Sequence, residues 1–295
     1  MSDELSEVVL DQKVVNTVVG KVFYDDNLVN ALRAAQEFAG PDGYVASAPE
    51  IMHARVISSS DDIWGKFFSA MSEEIVGTTK QGSEVLVECH GGGIFNSPKR
   101  IQRAIKEGLI NGAGKVSQKE FNNLLQGKKS ENEIPIYSYT EFLQQTKLPR
   151  NYAIIIDLDK VKNLDSEYQN IENLYENPLM IARAGGQEQA KNYLKKAQQV
   201  YQNDELGLWH SLKNVDTSKT SGRLLFVGYD FNFNINDNNF YYSARFVGVQ
   251  TSAEGTTRKI VVPTLEQVLA ITNKFTAEVN QAELKTALTE LYGPN

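Results

Sequence analysis

Apolar positions along the chain fall at helical spacing in some stretches and at strand spacing in others. The two kinds alternate up to about residue 200. Leu28, Leu32, Ala35 and Phe38 recur at helical intervals, Asp25 or Asp26 stands where an N-cap is wanted, and Gly40-Pro41 ends the run, which predicts a helix over 26–39. The valine-rich stretch from Val8 to Phe23 fits helix or strand. Ser60-Asp61-Asp62 precedes Ile63-Trp64 and reads as the cap of a helix running to about Ile75. Glu84 to Cys89 reads as a strand followed by His90 and three glycines. Ser97 at an N-cap with Pro98 at the first helical position opens the next helix, because the serine oxygen satisfies a free amide and proline has none to satisfy. Ser117 and Glu120 form a capping box.

Beyond a polar loop at Lys128–Glu133, Tyr152 to Leu158 and Pro178 to Ala184 are apolar enough for strands. Gly185-Gly186 then gives way to an amphipathic helix bearing Ala190, Tyr193, Leu194 and Ala197 on one face. Val227, Phe231, Phe233 and Ile235 alternate with polar residues, which predicts a hairpin over 223–250 with its loop at Asn236–Asn239. Thr257 to Val262 extends it to a meander, and Thr264 opens a C-terminal helical region reaching about Tyr292.

This order predicts an α+β (or α/β) fold: a mixed sheet with packed helices, then a C-terminal antiparallel meander followed by helices. Two regions are expected, a helix-rich α/β region at 1–147 and a mixed α+β region at 148–295, with one continuous domain as the alternative.

Composition narrows the class. Hydrophobic residues make up 41% and charged residues 23%, which excludes a disordered or collagen-like chain. Cys89 is the single cysteine, so no intrachain disulfide forms and a cytoplasmic location is expected. The acidic start lacks the pattern of a secretory signal, and no apolar run is long enough to span a membrane. The net charge is −7 and both halves are acidic, which disfavours nucleic acid as a partner.

Two segments carry candidate chemistry. Gly91, Gly92 and Gly93 lie between a strand and a helix N-terminus, where free amides favour an anion; Lys99 and Arg103 follow on that helix, making an anion- or nucleotide-binding loop. Asp157-Leu-Asp159 closes an apolar strand. It resembles the first motif of haloacid-dehalogenase-like phosphotransferases. That resemblance implies Asp157 as nucleophile, Asp159 as acid/base and Mg²⁺ as cofactor, although Lys160-Val161 replaces the Gly-Thr that normally follows. Outside that reading no cofactor or metal is expected. Cys89 and His90, neighbours on a strand, point to opposite faces and make no thiolate–imidazole pair.

Reactive groups are scarce, and aromatics occupy both faces of the expected hairpin. The first functional reading is therefore a non-enzymatic structural or assembly subunit, such as a viral or phage particle component. It would act through contacts with its own copies or another protein subunit. The alternatives are the Mg²⁺-dependent phosphate enzyme and the anion binder.

Overall fold

A computed structural model describes residues 6–12, 16–58, 61–129, 132–228, 234–238, 240, 242–250 and 257–259. The valine-rich start is two antiparallel strands, β1 (Glu7–Gln12) and β2 (Asn16–Asp25), with Val8 and Leu10 buried and Val9 facing out. Helix α1 (Leu28–Ala39) follows. Its cap is Asn27, whose side chain accepts the amides of Val29 and Asn30; Asp25, one of the two expected caps, instead accepts the amide of Asn27. A short strand β3 (Tyr44–Val45) leads to α2 (Ala48–Ile57), opened by a Ser47–Glu50 capping box.

The helix expected from Ile63 to Ile75 is not formed. Only Asp61–Ile63 turns, as one 3₁₀ turn, and Phe68–Thr78 is the strand β4. It lies inside the sheet with residues 68–77 all buried, so no in–out alternation marks it. Glu73 and Glu74 are only 2% and 3% exposed. Strand β5 (Glu84–His90), α3 (Pro98–Lys106), β6 (Gly114–Lys115) and α4 (Gln118–Leu125) come next, with the Ser97 and Ser117 caps where the sequence places them. The expected polar loop contains a small ladder of β7 (Lys128–Lys129) with β8 (Asn132–Glu133). Then follow β9 (Ile136–Ser138), α5 (Tyr139–Leu143), β10 (Tyr152–Asp157), β11 (Glu167–Asn170) and α6 (Ile171–Leu174).

Pro178–Ala184, expected as a strand, is helix α7. Residues 179–184 are all buried, so periodicity is silent; the ends decide. Asn177 accepts the amides of Leu179 and Met180, Pro178 fits the first turn, and Gly185 closes it at φ +79°. Helix α8 (Gln187–Tyr201) matches its amphipathic pattern.

Strands β12 (Glu205–Leu208), β13 (Ser221–Val227), β14 (Asn234–Asn238), β15 (Ala244–Val249) and β16 (Thr257–Lys259) complete the described chain. The 223–250 hairpin is corrected. β13 pairs with β14, Leu224 opposite Asn238 and Val227 opposite Ile235, so Asn236–Asn238 lie in a strand and not in a loop. β15 leaves for another sheet, between β2 and β3, and β16 joins β2 and not β15. The helices expected beyond Thr264 lie outside the described residues.

The larger sheet runs β11-β12-β14-β13-β4-β5-β10-β9, with β6 on β13; the smaller runs β1-β2-β15-β3, with β16 on β2. The β9/β10 and β12/β14 pairs are parallel and the rest antiparallel, so the fold is α+β with a mixed sheet. Both sheets take strands from either side of residue 147. One core lies under α2, α7 and α8 and includes Leu86, Ile154 and Ile156; the other lies under α1, α3 and α4 and includes Val87, Cys89 and Ala153. Among the described residues no helix is long and apolar enough to cross a membrane.

Candidate functional site

The glycine loop closes on a carboxylate of the chain itself. Glu73 accepts the amide of Phe95 at 2.7 Å and that of Ile94, and a Cβ at Gly93 would collide with the Glu73 carboxylate. Gly91 has φ +72°, and a Cβ there would collide with Asn151. The glycines thus allow β4 and the 150–151 segment to approach closely, and two amides beyond them point at Glu73. Gly92 is buried. Lys99 is exposed, Arg103 pairs with Glu107 at 2.7 Å, and Arg100 pairs with Glu120 at 2.9 Å.

Asp157 and Asp159 lie elsewhere. Asp157 accepts the Asp159 amide at 3.1 Å, capping a single 3₁₀ turn, and Asp159 pairs with Lys162. Asp157 sits opposite Val85 while Tyr152 sits opposite His90. Gly91 is therefore six residues along β5 from Asp157, about 20 Å at strand rise. The structure does not bring the two candidates together.

Sequence patterning does not single out the buried polar group between β4, β5 and α7. Ser72 Oγ lies 2.8 Å from His90 Nδ1, and Glu88 Oε1 lies 3.4 Å from His90 Nε2. This resembles a serine–histidine–carboxylate triad in outline only. His90 Nε2 donates to the Ala182 carbonyl at 3.0 Å, so Nδ1 is the acceptor and Ser72 donates to it, while Ser72 Oγ accepts the Ala48 amide. All three side chains are buried, and burial pulls His90 down to about 4, leaving it neutral. Beside them Arg183 binds Glu74 through two nitrogens, at 2.7 and 3.0 Å. This network lies within the core, with Ser72, Glu88 and His90 all buried.

The accessible chemistry lies where the two sheets meet. Arg245 stands opposite Tyr24 in the β2/β15 ladder. Its guanidinium sits 5.1 Å from the Tyr24 ring and 4.8 Å from Phe67, and Phe67 stacks on Phe226 at 5.2 Å. Tyr24 is 46% exposed and Tyr242, three residues before Arg245, is 59% exposed. The Tyr24 hydroxyl donates to Asp26 at 2.7 Å, and that bond raises its pKa. Beneath, buried Arg55 donates to the carbonyls of Lys66 and Gly228, each at 2.6 Å, fixing the segments that carry Phe67 and Phe226. The sequence signal for this surface was the doubled aromatic face at 240–246; Tyr24 and Phe67 join it only through pairing. Among the described residues no cluster of three potential metal ligands occurs.

No protein-family model matches the chain, and no curated protein matches it. Among solved structures, one reporting the accommodation of massive sequence variation in Nanoarchaeota by the C-type lectin fold matches it with a TM-score of 0.63. The two are 31% identical over 78% of this chain and 97% of the other. The fold is thus of the C-type lectin class. At that identity and coverage, the chain belongs to the family of that C-type lectin-fold protein.

Proposed function

We propose that the chain is a non-enzymatic binding protein, an assembly subunit that engages a second copy of itself or another protein subunit through the Tyr24–Phe67–Arg245–Tyr242 surface. The observation that carries this reading is that surface: a guanidinium held between the rings of exposed Tyr24 and of Phe67, with exposed Tyr242 three residues before it in the chain. Aromatics and arginine dominate the energetics of protein contacts because they bury much area with few torsions to freeze. Two further facts support it. The family's fold tolerates massive sequence variation in the Nanoarchaeota protein, as suits a scaffold with a replaceable surface. The serine–histidine group is sealed in the core, and Asp157 and Asp159 are occupied by a turn amide and a lysine. Sedimentation velocity at micromolar concentration tests the self-assembly form. The wild-type chain is expected to sediment above the monomer and Tyr24→Ala/Tyr242→Ala as the monomer. A strictly monomeric wild type contradicts self-assembly.

A further inference from the structure

A cleft of about 1180 Å³ opens between α2, the 142–150 segment and the α7–α8 junction. Its volume exceeds what a drug-sized ligand requires. Phe142, Leu148 and Tyr152 supply apolar wall, and Lys147, Arg150 and Lys191 supply positive charge. Two acids also line it. Glu50 is engaged by the Ser47 amide at 2.8 Å and the Ser47 hydroxyl at 2.7 Å, while Glu188 is exposed in the first turn of α8, where the helix dipole favours a carboxylate.

Arg150 is the distinctive group. Its guanidinium lies 3.9 Å from the centre of the Tyr44 ring, which holds the group against that ring. Among the described residues no carboxylate lies within 4.0 Å of it, although the Glu50 carboxyl of the same cleft feels its charge. Arg150 and Tyr44 also line a second pocket of about 250 Å³, reaching Gly91 and Asn151. The Asn151 Oδ1 in that pocket is buried and has no hydrogen-bond partner among the described residues. A planar, oriented guanidinium with its donors open to a partly apolar cleft matches a carboxylate or phosphate head joined to an apolar body.

We propose that this cleft binds a small amphiphilic anion, with Arg150 receiving its carboxylate or phosphate head and the Phe142–Leu148–Tyr152 wall receiving its apolar body. The site is separate from the Tyr24–Arg245 surface and does not depend on the self-assembly reading.

The test uses the full chain and 1-anilinonaphthalene-8-sulfonate, an aromatic anion whose fluorescence rises in apolar surroundings. Saturable one-to-one binding to the folded protein is expected. Phenylphosphate and phenylacetate should compete, and which competes better identifies the head group; inorganic phosphate alone should compete weakly. Arg150→Gln should weaken binding about tenfold, the size of one lost charge-assisted hydrogen bond. Lys195→Gln, which removes an exposed cation of α8 outside the cleft, should leave it unchanged. Arg150 is exposed, so thermal midpoints should agree; if Arg150→Gln is instead unstable, Lys147→Gln must show the weakening. Absence of saturable binding, or equal affinity in wild type and the cleft variant, overturns the proposal.

Discussion

Glu74 and Glu88 stand directly opposite one another on β4 and β5, and Arg183 forms a two-pronged pair with Glu74. Neither oxygen of Glu88 has a hydrogen-bond partner among the described residues. Burial, and then the neighbouring Glu74 charge, hold the Glu88 carboxyl well above the ordinary carboxylate range, against the opposing pull of Arg183. Glu88 is therefore the neutral member of the pair.

A pH dependence follows. The folded chain keeps a proton on Glu88 that the unfolded chain releases. This contribution is complete below the unfolded carboxylate pKa and is lost as pH rises toward the folded one. Thermal melts of Glu88→Gln should show a smaller fall above pH 5 than wild type, with a higher midpoint at pH 8. Each kcal/mol recovered should appear as roughly 2–4 °C. Parallel curves for the two proteins would contradict the assignment.

Arg183→Met leaves Glu74 buried without its cation. It should cost about 3–5 kcal/mol, because an uncompensated charge in the core is far worse than no charge. Glu74→Gln/Arg183→Met should recover part of that loss. Chemical denaturation of these two variants and of Glu74→Gln alone reads this out, and additive single losses would argue against a coupled pair.

His90 should remain neutral, with its proton on Nε2, down to about pH 4. Its depressed pKa gives stability that is present above the unfolded value and is lost as pH falls from there toward 4. A nitrogen-15 NMR titration of the imidazole shows both tautomer and midpoint. A midpoint near 6.5, or a proton on Nδ1, would contradict the network.

Glu73 accepts the amides of Ile94 and Phe95, just beyond the glycine loop expected to take an external anion. Glu73→Ala should destabilise by about 3 kcal/mol, since buried amides lose a charged acceptor. Acetate or phosphate should then raise the melting midpoint of the variant more than that of wild type. Equal shifts would show that the vacated amides take no anion.

What the sequence made legible was local. Ser97, Ser117 and Asn177 each satisfy amides within three residues; the first two are legible as caps, and Asn177 is not, because the run after it is apolar on every side. β4 is hidden because its polar residues are answered from far along the chain: Glu74 by Arg183, 109 positions on, and Glu73 by amides 21 and 22 positions on. The 223–250 region differs from the expected hairpin for a related reason. Alternation identifies β13 to β15 as extended but not which edge each one joins, and β15 joins β2. The surface built by Tyr24, Phe67 and Arg245 was therefore invisible until that pairing was known.

The proposed protein contact at this surface can be caught by photo-crosslinking from a benzophenone amino acid placed at position 24, 242 or 195. Protein adducts, to the chain's own copies or to one other subunit, are expected from positions 24 and 242 and none from 195. No adduct from 24 or 242, or equal yields from all three, would contradict it.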